Sequence, residues 1–196
     1  MEVKCRRLEG KVAVMTASTQ GIGLAIAERL GLEGAAAVIS SRKQKNVDDA
    51  VKGLKAKGIT AVGAVCHVSD AQQRKSLIDT AVKNFGHIDI LVSNAAANPT
   101  VDGILEMKEA VLDKLWDINV KASILFLQDA APTYALAGEM GPNTRFNCIA
   151  PGFVPTRFAS FLTENETIRK ELTDRTALKR LGSVEDMAAG CRIPGF

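Results

Sequence analysis

The sequence predicts an α/β protein with a doubly wound parallel sheet that is covered by helices on both faces. Short apolar runs typical of buried strands alternate with longer segments of helical periodicity, and the connections between them are short. The first apolar run leads into a turn of small residues and then into a helical pattern. With 196 residues, of which 46% are hydrophobic and 24% charged, the chain fits a single domain with a sizeable core.

The predicted elements follow in chain order. Strands are predicted at 11–16, 36–40, 61–68 and 88–93, and helices at 21–32, 47–57 and 71–85. Gly58 and Gly86 stop the second and third helices, and Ser69 or Asp70 caps the third. Further helices are predicted at 108–131, 133–140, 164–173 and 184–189, and a strand at 145–150. The long helix ends at Pro132, and its apolar stripe is expected to pack in the core: Val111, Leu115, Ile118, Ala122 and Leu125.

The turn at 16–23 has the composition of a phosphate-binding loop. Gly21 and Gly23 lack a Cβ, so a diphosphate can approach the backbone closely. The helix that begins there presents free N–H groups and the positive end of its dipole. A turn without a ligand is the alternative, but the position between a strand and a helix favours nucleotide binding.

Composition and spacing argue against several other classes of function. The four cysteines are scattered and the two histidines lack ligand-spaced partners, so neither a metal site nor a disulfide framework is expected. The basic cluster at 4–11 is interpreted as a solvated arm, not as a nucleic-acid surface. No secretion or membrane-spanning run occurs in the sequence, so a cytoplasmic location without a membrane partner is expected.

Four ordered motifs, 16–23, 94–97, 117–120 and 147–152, resemble those of the short-chain dehydrogenase/reductase family. Segments 154–156 and 180–182 resemble its dehydrogenase/reductase member 4 and tropinone-reductase-like group. The resemblance implies one three-layer Rossmann-type domain over residues 1–190. Within it, 8–100 match the cofactor half, 101–190 match an incomplete catalytic half, and 191–196 form a tail outside the family pattern. Ala17 stands where many members have their first glycine.

The resemblance assigns cofactor contacts to residues at strand ends and in loops. Thr16, Ser18, Gly21, Ile22 and Gly23 match the diphosphate turn, and Ser41, Arg42 and Lys43 match the residues near the 2′-position of the adenosine ribose. His67 and Val68 match the adenine side, and Asn94 and Ala95 match the loop under the other ribose. Pro151, Gly152, Val154 and Thr156 match the nicotinamide side. NAD-preferring members usually have an acidic residue after the second strand. Basic side chains beside a serine suit a 2′-phosphate instead, so NADP(H) is expected in preference to NAD(H). An ordinary basic surface turn is the alternative.

The catalytic motif of the family is incomplete in this chain. Relatives move a hydride between nicotinamide and a carbonyl or alcohol carbon, and they use Asn, Ser and Tyr-x-x-x-Lys for proton transfer. Asn119 matches the catalytic asparagine. The single tyrosine, Tyr134, is followed four positions later by Gly138, and no lysine or arginine occurs from 122 to 143. One central strand–helix unit and the last strand are therefore expected to be missing, with the strand at 145–150 then pairing beside 88–93. A gap that leaves an exposed strand edge and lowers solubility is the alternative.

These observations predict an NADP(H)-dependent carbonyl reductase or alcohol dehydrogenase whose catalysis is impaired. Its substrate would be a small carbonyl compound or alcohol. A non-catalytic NADP(H)-binding module and a non-functional splice or truncation product are the alternatives. Because relatives assemble partly through the segments missing here, a weakened homo-oligomer or association with full-length relatives is expected.

Overall fold

A parallel four-stranded sheet forms the centre of the computed structural model, which describes residues 6–100, 103, 105–131, 147–160 and 164–191. The strands lie in the order β3-β2-β1-β4: β1 Val12–Met15, β2 Ala36–Ser41, β3 Ala61–Val65 and β4 Ile90–Val92. Met15, at the end of β1, lies opposite Ile39 of β2 and Val92 of β4. The carboxyl ends of all four strands therefore meet at one edge of the sheet.

Helices connect and follow the strands: α1 Gly21–Leu32, α2 Gln44–Ala56, α3 Ala71–Phe85, α4 Glu109–Trp116, α5 Ala122–Ala130, α6 Glu166–Arg175 and α7 Val184–Gly190. A π-helical turn, Asp117–Lys121, joins α4 to α5, so the predicted helix at 108–131 is continuous but not α-helical throughout. At the start of α3, the Asp70 carboxylate accepts from the Gln73 N–H at 3.0 Å. Gly86 ends the same helix with φ of 85°.

Two apolar layers cover the sheet, and alternate residues of β1 contribute to each. Ala13 and Met15 belong to the layer formed with α1, α2 and α7. Val12 and Val14 belong to the layer formed with α3 and α5. The alternation follows from the strand geometry, in which successive side chains point to opposite faces. The predicted three-layer, doubly wound parallel architecture is thus confirmed.

The predicted strand at 145–150 is wrong for the residues that the structure describes. Asn147–Ala150 run without strand pairing, and 145–146 lie outside the described ranges. Ile149 instead packs against the apolar layer that contains Ala188 and Cys191 of the α7 region. Ile149 therefore contributes to this layer through its side chain, without strand pairing to β4. Within the described residues, β4 is therefore an edge strand.

Two smaller expectations are also corrected. Of the five stripe residues, only Ala122 is fully buried, and the same face continues with Phe126 and Ala130 against the α3 side of the sheet. The basic cluster is not simply solvated. Arg7 Nε donates to Glu33 at 2.8 Å, and Lys11 Nζ donates to Asp89 at 2.9 Å. The predicted helix at 133–140 lies outside the described residues.

Candidate functional site

Thr16 joins the turn after β1 to the loop after β4. Its side chain is fully buried, and its Oγ1 accepts from the backbone N–H groups of Asn94 at 3.0 Å and Ala95 at 3.1 Å. In return, Asn94 Nδ2 donates to the carbonyl oxygens of Thr16 at 3.2 Å and Ala17 at 2.9 Å. The predicted loop residues Asn94 and Ala95 are thus held directly against the predicted phosphate turn.

Ser18 joins the other side of the turn to β2. Its Oγ donates to the Met15 carbonyl at 2.8 Å and accepts from the Ser40 N–H at 3.1 Å. The Ser18 N–H also donates to the Ser40 carbonyl at 2.9 Å. Ser18 and Ser40 are both fully buried, so these hydrogen bonds take the place of bonds to water. They hold the turn between β1 and β2. Sequence analysis did not identify Ser40, which sits inside an apolar strand.

The turn requires small residues for two different reasons, the backbone conformation at Ala17 and Gly21 and the lack of space at Gly23. Ala17 and Gly21 adopt positive φ angles of 49° and 56°. Gly23 has no room for a side chain, because a Cβ there would lie 2.5 Å from Asn94 Nδ2 and 2.8 Å from the Ala17 carbonyl oxygen. Ala17 therefore occupies a left-handed position that glycine fills without strain.

The amino end of α1 is suited to an anion. Its N-cap, Gln20, makes no side-chain hydrogen bond to the helix, and the first turn carries no acidic side chain. The N–H groups of Gly21, Ile22 and Gly23 belong to that first turn, where the helix dipole is positive. Diphosphate oxygens are ligands that fit such a position.

A second basic site lies at the carboxyl end of β2. Ser41 ends the strand, and Lys43 is the N-cap of α2, whose first turn also lacks an acidic residue. Arg42 and Lys43 are exposed, and in the described ranges their side chains make no hydrogen bond or ion pair. Two cations and a helix amino end thus lie beside the turn, one strand away from it.

The end of β3 continues the same edge. The Cys66 N–H donates to the Ser41 carbonyl at 2.9 Å, which places His67 next to the basic site. The His67 N–H donates to Gln73 Oε1 at 2.8 Å, and the Ser69 N–H donates to His67 Nδ1 at 3.4 Å. Val68 is buried, and its carbonyl accepts from Arg74 Nη1 at 2.8 Å.

Arg74 is a buried supporting residue that no sequence motif identifies. It is only 3% exposed, and its Nε donates to Asp129 of α5 at 2.6 Å. The guanidinium therefore links the end of β3 to a helix that is distant in sequence. Burial raises the pKa of the neighbouring Cys66 thiol to about 11, although the positive charge of Arg74 opposes the shift.

The loop after 150 reaches the same site from the other side. Thr156 Cγ2 lies 3.5 Å from the position that a Cβ on Gly21 would take, so Thr156 contacts the amino end of α1. Val154 is buried and anchors the loop, whereas Pro151 and Gly152 are exposed. Of the predicted nicotinamide-side residues, Thr156 thus lies against the turn region, Val154 is buried beside Gly182, and Pro151 and Gly152 are exposed.

Asn119 lies in the π-helical turn and is engaged with the backbone of one residue. Its Oδ1 accepts from the Ala97 N–H at 2.7 Å, and its Nδ2 donates to the Ala97 carbonyl at 3.0 Å. A hydroxyl pair joins the end of β4 to the start of α5, where Ser93 Oγ donates to Ser123 Oγ at 2.8 Å. Tyr134 falls outside the described residues. A π-turn that bears a predicted catalytic residue agrees with the frequent use of such turns at functional sites.

The described part of the chain lacks two features. It contains no group of three or more His, Cys, Asp or Glu side chains placed to hold a metal ion. It also contains no helix that is both long and apolar enough to cross a membrane.

Comparison with known proteins gives matches over most of the chain. The family model described as short chain dehydrogenase matches residues 11–142, and one described as Enoyl-(Acyl carrier protein) reductase matches residues 131–193. Tropinone reductase-like 3 of Erythroxylum coca is 58% identical over 220 residues, covering 94% of this chain and 85% of the relative. Human dehydrogenase/reductase SDR family member 4 is 40% identical over 220 residues, with 92% and 79% covered.

The length of the alignment with the first relative is relevant to the strand–helix unit that is expected to be missing. The alignment spans 220 positions, yet it uses 94% of a chain of only 196 residues, so several dozen of those positions have no counterpart here. Among solved structures, gox2181 superposes with a TM-score of 0.88 at 21% identity, covering 98% of this chain and 91% of that one. An actinorhodin polyketide ketoreductase solved with NADPH superposes with a TM-score of 0.84 at 20% identity, with 93% and 88% covered. On the family-model match and these two relatives, the chain belongs to the short-chain dehydrogenase/reductase family.

Proposed function

We propose that this chain binds NADP(H) at the carboxyl ends of β1, β2 and β3, and that its hydride transfer to carbonyl substrates is impaired. The observation that carries the proposal is the pairing of a complete phosphate turn with an incomplete catalytic set. Thr16 and Ser18 brace the turn through buried hydrogen bonds, whereas Tyr-x-x-x-Lys is absent from the sequence.

The residues at the turn fit a dinucleotide. The amino end of α1 has no acidic side chain in its first turn, and Gly23 allows the backbone to come within contact distance of Asn94. When bound, the cofactor would supply the hydride. The chain's own residues would hold the diphosphate through N–H groups of the first turn, with Thr156 beside them.

Preference for the 2′-phosphorylated form rests on Arg42 and Lys43. Each presents a cation that no described side chain neutralises, at the strand end where the adenosine ribose binds in this fold. A charge-assisted hydrogen bond to phosphate typically contributes about 1.5–3 kcal/mol, which corresponds to about 10- to 100-fold in affinity.

This preference is tested by fluorescence titration with NADPH and NADH. Arg42→Ala is expected to weaken NADPH binding by about 10- to 100-fold and to leave NADH binding within about threefold of the wild-type value. Arg169→Ala, which removes an exposed arginine of α6, is the matched control and is expected to change neither value. Equal losses for both nucleotides in Arg42→Ala would contradict a 2′-phosphate contact.

The impairment follows from the chemistry of hydride transfer. The substrate oxygen must gain or lose a proton as the hydride moves, and a positioned acid or base typically contributes about 10²- to 10⁴-fold. Asn119 is proposed as a positioning residue, because both ends of its amide are bonded to Ala97. The hydroxyls of Ser93 and Ser123 are bonded to each other and have no charged group to activate them in the described ranges.

Turnover is tested as carbonyl-dependent loss of NADPH absorbance, with Gly23→Val as the control that blocks the cofactor turn. We expect saturable NADPH binding with turnover at least about 10²-fold below the 1–10³ s⁻¹ usual for enzymes. Turnover within that usual range that Gly23→Val abolishes would refute the impairment and identify an active reductase. Binding without turnover would indicate a non-catalytic module. Absence of saturable binding by the wild-type chain would refute the proposal and leave a non-functional splice or truncation product.

A further inference from the structure

The carboxyl end of β3 presents a hydrogen-bond donor where the base of a bound dinucleotide would lie. If the diphosphate is held at the amino end of α1 and the ribose at the end of β2, the attached base would lie near the next strand in the order β3-β2-β1. The bond from the Cys66 N–H to the Ser41 carbonyl, 2.9 Å long, keeps the ends of β2 and β3 together. His67 follows directly and is half-buried.

The local hydrogen bonds fix which ring nitrogen of His67 is available. The Ser69 N–H donates to Nδ1 at 3.4 Å, so Nδ1 is the acceptor in this contact. In the neutral imidazole, the proton is then on Nε2, which becomes a donor. No described residue forms a hydrogen bond with Nε2, and this group remains for a ligand.

The acceptors around His67 are already engaged. Both Asp70 carboxylate oxygens accept from Gln73, one from its N–H and one from its Nε2, each at 3.0 Å. Gln73 Oε1 accepts from the His67 N–H at 2.8 Å, and the Val68 carbonyl accepts from Arg74. The amino end of α3 thus uses its own acceptors, and the strand end offers a ligand a donor without a matching acceptor.

We propose that His67 Nε2 donates a hydrogen bond to an acceptor on the edge of the purine base, so that this site does not select for a 6-amino group. The inference rests on the proposed dinucleotide binding and adds which base chemistry the site recognises. Adenine offers ring nitrogens as acceptors, whereas hypoxanthine offers a 6-carbonyl oxygen and a ring nitrogen. The site therefore accepts both bases with similar affinity.

The test compares NADPH with its hypoxanthine analogue by the fluorescence of the dihydronicotinamide, which is the same in both. The wild-type dissociation constants are expected to agree within about threefold, and His67→Phe, which keeps an aromatic ring but removes the donor, is expected to weaken both by about 2- to 10-fold. His67→Asp introduces an acceptor in place of the donor. It is expected to favour NADPH over the analogue by about 10-fold or more, because the carboxylate pairs with the 6-amino group and repels a 6-carbonyl.

His67→Gln, which keeps a side-chain N–H donor, separates loss of the donor from loss of the fold. It is expected to bind both nucleotides more tightly than His67→Phe, and urea unfolding of each variant reports its stability. If His67→Phe does not fold, the contrast between His67→Gln and His67→Asp decides. A strong wild-type preference for NADPH, or a folded His67→Phe that binds as the wild type does, would overturn the inference. Failure of the wild type to bind either nucleotide would instead refute the proposed function.

Discussion

Replacing Ala17 by glycine is expected to stabilise the fold, because Ala17 is held in the left-handed region at φ 49°. This conformation costs a residue with a Cβ about 1–2 kcal/mol. Glycine loses more freedom on folding, which offsets about 0.5–1 kcal/mol of that gain. Ala17 is exposed, so no buried contact of its methyl group is lost. The net stabilisation expected is therefore about 0.5–1 kcal/mol.

Urea unfolding measures this difference, and a second alanine provides the matched control. Ala56 is exposed at the carboxyl end of α2, where the backbone is helical. Ala56→Gly is expected to destabilise the fold by about 0.5–1 kcal/mol, because glycine is a poor helix residue. The same substitution is thus expected to have opposite signs at two exposed positions that differ in backbone conformation.

The result that would refute this reasoning is a destabilisation in Ala17→Gly comparable to that in Ala56→Gly. It would mean that the positive φ at Ala17 carries no strain in the folded chain. NADPH affinity should be measured on the same samples. The Asn94 Nδ2 bond to the residue 17 carbonyl, 2.9 Å in the wild type, involves only the backbone there. Ala17→Gly is therefore expected to bind NADPH at least as tightly as the wild type does.

Three further predictions concern individual side chains. Burial raises the pKa of Glu33, but hydrogen bonds from Arg29 and Arg7 outweigh this effect and lower the pKa from 4.5. Glu33→Gln should therefore reduce the free energy of unfolding by about 1–3 kcal/mol at pH 7, and by less as the pH falls below 4.5. A pH-independent difference would contradict this assignment. Asn119→Ala should speed hydrogen exchange of the Ala97 amide, and unchanged protection would show that another group holds that loop. Thiol reagents should modify the exposed Cys148 well before the buried Cys66, whose pKa is about 11; equal rates in the folded protein would refute the burial.

Helix ends were predictable where a local signal marks them. The predicted bounds of α3 match the structure because Asp70 caps one end and Gly86 stops the other. β4 was predicted longer than it is, since Ile88 adds an apolar residue just before Asp89. In the structure, the Asp89 carboxylate accepts from the Val12 N–H at 2.8 Å. This side chain therefore occupies the donor that a backbone carbonyl of a longer β4 would otherwise bind. Apolar periodicity does not indicate where a side chain replaces a backbone carbonyl as the acceptor.

The path of 147–150 could not be predicted from its own residues. Its apolar pattern fits a strand, but which surface receives Ile149 depends on where α7 packs. Likewise, the motifs identified Thr16 and Asn94 but not the bonds between them. Arg74 and Asp129 are 55 positions apart, and their pairing is a consequence of the fold that neither neighbourhood signals. Long-range contacts, more than local motifs, decide these features.

The two halves of the candidate site differ in what supports them, and the proposed function rests on this difference. The contacts of Thr16, Ser18 and Asn94 all come from elements between β1 and the loop after β4, so the cofactor turn is complete without any later segment. In the part of the chain that the structure describes, no comparable set of contacts supports proton transfer to a substrate oxygen. Tyr134 is the only tyrosine in the sequence, and Gly138 stands where the lysine that lowers a tyrosine pKa would be. On the function proposed above, a bound dihydronicotinamide would face a carbonyl with no activated acid among the described residues, and affinity for the cofactor is expected to survive where turnover does not.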